Sequence, residues 1–140
     1  MNELPIANEM PYWKSGTSSP DSWLDKVENL IEKYGGTIHS RVVARSGHNE
    51  GIMIGFTIAG ESFKLTWPVL PPKNPNDRLA ATRQAATMIY HDTKARVNRL
   101  AIFGPKVVFA DWLLLENGRT IAENPNTNIA QHLSGMIGQG

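Results

Sequence analysis

The spacing of apolar residues changes twice along this chain, from a helical repeat to strict alternation and back again. Trp23, Leu24, Val27, Leu30, Ile31 and Tyr34 recur at three- and four-residue steps, which gathers them on one face of a helix. Ser18-Ser19-Pro20-Asp21 stands before them, with Ser19 suited to cap, Pro20 to the first helical position and Asp21 to the positive end of the dipole. Gly35-Gly36 ends the segment. Over residues 37–70 the period becomes two. Ile38, Val42 and Ala44 alternate with His39, Arg41, Val43 and Arg45, and a turn is expected over residues 46–51. Ile52, Ile54, Phe56 and Ile58 alternate with Met53, Gly55 and Thr57. After a tight turn at Ala59-Gly60-Glu61, Phe63, Leu65 and Trp67 alternate with Ser62, Lys64 and Thr66. Three short alternating runs joined by turns predict an antiparallel meander with one buried face.

Pro68, Pro71, Pro72 and Pro75 end the sheet. A second helix is expected from Asn76 or Asp77 to about Phe103, roughly seven turns. Leu79, Ala86, Ile89, Thr93, Val97 and Leu100 form one stripe, and small residues at Ala80, Ala81, Ala85 and Ala86 permit close approach of the sheet. Arg83, Thr87, His91, Lys94 and Asn98 form a second stripe, within an arc of roughly 80° on the solvent side. Gly104-Pro105 breaks the helix. Residues 106–115 suit either a strand, through Val107, Val108 and Phe109, or a short helix, through Phe109, Trp112, Leu113 and Glu116. Helix is the preferred reading, with Asn117-Gly118 as its stop.

The expected fold is therefore α+β, in the order α-β-β-β-α: a three-stranded antiparallel meander packed on a long helix, plus a short C-terminal helix. Residues 1–18 read as an irregular arm that Tyr12 and Trp13 could pin to the domain surface or to a partner subunit. Residues 19–123 form the domain and 124–140 a flexible tail.

Charge changes the picture next. Ten of the fourteen Lys and Arg residues lie within residues 37–106, against four acids, while both flanks are acidic. A formal net charge of +1 thus hides a basic middle, and such a field attracts polyanions. If the alternating apolar set faces the core, His39, Arg41, Arg45 and Lys64 emerge together on the opposite face. An ordinary solvated face explains them equally well, because exposed strands commonly carry Lys and Arg. Trp67 and Trp112 are expected in the core, and Tyr90, on the border of both stripes, is the candidate for base stacking.

Catalytic chemistry finds little support. The chain has no cysteine, which removes thiolate ligands and nucleophiles. His39, His48, His91 and His132 show no metal-ligand spacing, and Glu50, Glu61, Asp77 and Asp92 are too few and scattered for a two-metal site. No GxSxG elbow and no GxxxxGK[ST] phosphate loop is present. Neither a metal nor any other cofactor is expected. The N-terminus lacks the pattern of a signal peptide, and no apolar run approaches the roughly 20 residues of a membrane span. A soluble cytoplasmic protein without membrane partners is the expectation.

The stretch Ala80-Ala81-Thr82-Arg83-Gln84-Ala85-Ala86-Thr87, leading to Phe103-Gly104, resembles the Ala-rich helix of the single-strand annealing recombinase superfamily (the Rad fifty-two type), built on a β-β-β-α core. The element order is also similar to that of the double-stranded-RNA-binding domain, whose basic second helix reads duplex shape. That domain's Lys-Lys pair is missing here, and Lys73, Arg78 and Arg83 stand near its place. Both resemblances imply nucleic-acid binding. The expectation is a non-enzymatic protein that binds or anneals single-stranded DNA in phage or microbial replication and recombination, acting as a homo-oligomer. Arg41, Arg45, Lys64, Lys73, Arg78, Arg83 and Lys94 would neutralise phosphates and Tyr90 would stack. The alternative is a module that engages a protein or sequesters a small ligand, such as a phage-encoded inhibitor of a host factor.

Overall fold

The computed structural model describes residues 3–46, 49–115 and 117–120. The order of elements is the expected one: α1 (Pro20–Lys33), β1 (Thr37–Ser46), β2 (Asn49–Ile58), β3 (Glu61–Pro68) and α2 (Arg78–Val97), then two single turns, α3 (Leu100–Phe103) and α4 (Pro105–Val108). Ser19 Oγ accepts from the Ser22 amide at 3.1 Å, and Pro20 opens the helix. At the other end Gly35 takes φ 95°, and the Gly36 amide donates to the Ile31 carbonyl at 2.9 Å. The start and stop of α1 are both local, which is why the sequence displays them.

The strands form one antiparallel sheet in the order β1-β2-β3. Ala59 and Gly60 both take positive φ, as a two-residue hairpin turn with the strands' own twist requires. Ile52 pairs with Trp67, Ile54 with Leu65 and Phe56 with Phe63, so these share one face. α2 covers that face through Ala81, Ala85, Ile89 and Val97, all buried. Phe56 and Phe63 stack at 5.4 Å, Phe109 meets both edge-on at 5.3 and 5.5 Å, and Trp112 stacks on Phe109 at 5.7 Å. This aromatic group closes the core at the Phe63 end of the sheet.

β1 departs from simple alternation. Its register steps from Ile38↔Phe56 to Ser40↔Gly55, so His39 is an extra residue, a β-bulge. Beyond it the faces exchange. Arg41 pairs with Ile54 and Val43 with Ile52, on the helix side, whereas Val42 pairs with Met53 and Ala44 with Gly51, on the open side. The expectation that Val42 and Ala44 face inward and Arg41 and Arg45 outward is corrected by this one insertion.

α2 ends at Val97 rather than near Phe103. The Asn98 and Arg99 amides fold back onto the carbonyls of Lys94 and Arg96, and Gly104 at φ 79° turns the chain before Pro105. Residues 106–115 satisfy both readings in part. A helical turn runs to Val108 and a 3-10 turn covers Ala110–Trp112; Leu113 then bridges to Phe63, and the Leu114 amide donates to the Ser62 carbonyl at 3.1 Å. Seating Phe109 and Trp112 against the core leaves the next residues beside the outer edge of β3, where strand pairing satisfies their backbone.

The arm is irregular apart from a 3-10 turn at Ala7–Glu9, and it is pinned to the domain's own surface. Ala7 is fully buried and its amide donates to the Pro71 carbonyl at 2.8 Å. Gln84 Nε2 donates to the carbonyls of Ala7 (2.8 Å), Pro11 (3.0 Å) and Met10 (3.3 Å). Tyr12 stacks on His91 at 4.8 Å with rings 9° apart. The proposed tail, 124–140, lies outside the described residues, as does the domain's end at 121–123.

Gln84→Ala removes the side-chain donor shared by the Ala7, Met10 and Pro11 carbonyls, of which that of Ala7 keeps the Met10 amide at 3.1 Å. It should lower stability by about 2 kcal/mol in urea unfolding and speed proteolytic cleavage within residues 8–18. Unchanged stability would show that the arm contributes nothing to the fold.

Candidate nucleic-acid interface

The bulge at His39 decides the fate of Arg41. On the helix side of β1, its guanidinium meets three acids of α1. Nε donates to Glu28 Oε2 at 2.6 Å, Nη2 to Asp25 Oδ1, and Nη1 stands 3.7 Å from Asp21. The hydrogen bond to Glu28 raises the Arg41 pKa well above the ordinary arginine value; partial burial opposes this and Asp25 adds to it. This side chain ties α1 to the sheet.

Arg41 and Arg45 are therefore lost from the open face, which keeps Lys64 as its one lysine or arginine among the described strand residues. Val42, Ala44, Met53, Thr57 and Thr66 share it, with His39 bonded to Thr57 Oγ1 at 3.0 Å. Lys64 does lie on this face, as expected, and its Nζ donates to the Gly118 carbonyl at 3.0 Å.

The stripe on α2 is also reshaped, because the arm crosses it. Arg83 Nε donates to the Ser18 carbonyl at 2.7 Å, Thr87 is buried and bonds back to the Arg83 carbonyl, and His91 lies under Tyr12. His91, although stacked on Tyr12, stays exposed, and with Lys94 and Asn98 it makes up the solvent-facing lower end of the expected stripe. Tyr90 is half-buried, its ring 5.3 Å from Trp23 and 5.9 Å from the Lys94 ammonium.

Two of the expected residues meet in one cleft, and a third, Lys73, stands on the linker that walls it. Arg45, at the end of β1, and Arg78, the first residue of α2, line a cleft of about 370 Å³ walled by Pro71, Pro72 and Pro75. Lys73 is exposed on the linker between those prolines, its amide held by Asn8 Oδ1 at 2.9 Å. Glu50, the cross-strand neighbour of Arg45, completes the cleft; the Thr82 hydroxyl reaches its Oε1 at 3.4 Å. Among the described residues neither Arg45 nor Arg78 forms an ion pair. Arg41 and Lys64 stand apart from this group, and Arg83, Tyr90 and Lys94 are distributed along α2.

Sequence reasoning missed two features. Glu50 was read only as one of the scattered acids, since nothing marks it as a cleft residue until β2 is placed beside Arg45. Arg96 was not singled out either. Its guanidinium grips Asp111 at 2.6 and 2.8 Å, Asp92 at 2.9 Å and the Val108 carbonyl at 3.0 Å, and it stacks 3.7 Å from the Trp112 ring. Burial pulls its pKa down, but the bonds to Asp111 and Asp92 outweigh this and raise it. The Asp92-to-Arg96 step of four residues was visible as a helix pair; Asp111 was not. A recess of about 450 Å³ is lined by this matched group and by Arg99, which forms no ion pair among the described residues.

Among the described residues no group of three or more His, Cys, Asp or Glu could hold a metal ion, and no helix is long and apolar enough to cross a membrane. The chain matches no family model, no curated protein and no solved structure.

Removing Arg41 leaves three neighbouring carboxylates uncompensated. Arg41→Ala should cost about 1–2 kcal/mol in urea unfolding, reduced by added salt because the cluster is partly exposed. Arg96→Ala, which frees two carboxylates and uncovers Trp112, should cost about 3 kcal/mol. Wild-type stability in either variant would remove that ion cluster from the forces that hold the fold.

Proposed function

We propose that this protein is a non-enzymatic binding domain for a polyanion, with single-stranded nucleic acid as ligand and single-stranded DNA in replication or recombination as the preferred setting. The reading rests on the Arg45, Lys73 and Arg78 cluster. Two of these cations meet in one cleft and Lys73 stands on the linker that walls it, while Arg41 and Arg96 are engaged in holding the fold together. A guanidinium that forms no ion pair among the described residues is free to donate to a phosphate, and Arg presents the fork geometry that phosphate oxygens match. Lys94, farther along α2, adds a further positive charge for a strand that leaves the cleft.

Three phosphate contacts to a single strand give a salt slope of roughly −2 in log affinity against log salt. Anisotropy of a labelled oligonucleotide should show this slope, with single strand preferred over duplex. Arg45→Ala with Arg78→Ala should weaken binding by about tenfold or more and flatten the slope. Arg41→Ala should leave affinity unchanged at temperatures where it is folded. Absence of binding at micromolar protein in low salt would overturn the reading.

One observation favours a second reading. The open sheet face carries Lys64 as its one lysine or arginine among the described strand residues and is bordered by the outer edge of β1, where Val42 and Val43 are 39% and 44% exposed. Such a surface suits another protein strand or a second copy of this chain better than it suits phosphate. Sedimentation over a range of concentrations tests it: association lost in Val42→Lys supports pairing through β1, and a monomer at every concentration rejects pairing between copies.

A further inference from the structure

The cleft at the Arg45 end differs from a groove built to track a strand. Its lining includes a carboxylate, Glu50, beside the two arginines, and it is small. We infer that it is a site for one nucleotide phosphomonoester, either free or at the end of a strand. Arg45 and Arg78 take the phosphate, the linker prolines wall in the base, and Glu50 accepts from an exocyclic amino group of that base. The strand-end source rests on the reading above; the free nucleotide does not.

A volume of about 370 Å³ falls at the small end of ligand pockets, matching one nucleotide rather than a duplex. A terminal monoester carries nearly two negative charges where an internal diester carries one, so two guanidiniums with one nearby carboxylate favour the terminal group. The same carboxylate repels a continuous run of phosphates. The Glu50 backbone is held where its carbonyl accepts from the Val69 amide at 2.8 Å; Thr82 Oγ1 stands 3.4 Å from the carboxylate, but its one proton has a shorter acceptor in the Arg78 carbonyl at 3.0 Å. A carboxylate can only accept hydrogen bonds, and the amino groups of cytosine or adenine supply the donor it lacks; thymine has none there. Pro71, Pro72 and Pro75 present rings without backbone donors, an apolar wall that does not compete for the phosphate.

The probes are dCMP, dTMP, deoxycytidine and inorganic phosphate by calorimetry, together with short single strands bearing a 5′-phosphate, a 3′-phosphate or hydroxyls at both ends by anisotropy. A phosphorylated end should tighten binding by about tenfold, and dCMP should bind where deoxycytidine does not. Arg45→Lys and Arg78→Lys should each erase most of that gain, with circular dichroism confirming the fold. Glu50→Gln should keep the gain and lose the preference for dCMP over dTMP. The wild-type comparisons decide the matter even where a variant does not fold. Equal affinity for phosphorylated and hydroxyl ends, with dCMP no tighter than inorganic phosphate, overturns the inference. Salt-steep binding without end preference sinks the nucleotide site but leaves the polyanion reading standing. Binding of dCMP without binding of any oligonucleotide does the reverse.

Discussion

Arg41 reaches the carboxylates of Asp25 and Glu28 only because His39 is an extra residue in β1. Without that bulge the strand would keep its first alternation, Arg41 would point to the open face, and α1 would lose its ionic tether to the sheet. The remaining contacts between α1 and the rest of the domain are chiefly with α2, through Leu24, Val27 and Ile31. The bulge thus does two things at once. It turns a cation into a fastener, and it leaves the open face to Val42, Ala44 and the threonines.

The same economy of charge governs the other end of α2. Arg96 holds the chain after Phe109 in place by filling its donors with Asp92, Asp111 and a carbonyl, and by lying on Trp112. A buried cation with matched acids attracts no external anion, so the basic middle of the chain is less basic in space than in sequence. Of what is left, Arg45 and Arg78 share one cleft, while Lys94 and Arg99 stand exposed near the C-terminal end of α2. Arg45 and Arg78 form no ion pair among the described residues, although Glu50 lines the same cleft and Asp77, which precedes Arg78, is paired with Lys14.

The helices and hairpins were legible wherever their causes are local. Ser19, Pro20 and Gly35 act within a few residues of themselves, and the alternation of Ile52 through Ile58 needs no knowledge of what lies opposite. The bulge was illegible because the residues around it read well in either parity; Ile38 fixes one phase and Val43 the other. The break in α2 hid for a related reason. Residues 98–103 have ordinary helical composition, and Arg96 is drawn toward Asp111, fifteen positions away. Of the site, the residue types were readable but their grouping was not. Arg45 and Arg78 meet only once a strand end and a helix start are brought together by the proline linker.

The arm carries a consequence for the order of assembly. Ala7 is anchored by a side chain that follows it by 77 positions, and the amide of Ala7 by a carbonyl in the linker between sheet and helix. At ribosomal speeds of 5–20 residues per second, its anchor is made roughly 4–15 seconds after Ala7 itself. The arm is thus fastened only after the sheet and the first turns of α2 have been made, and until then its Tyr12 and Trp13 are open to any chaperone or protease that meets the nascent chain.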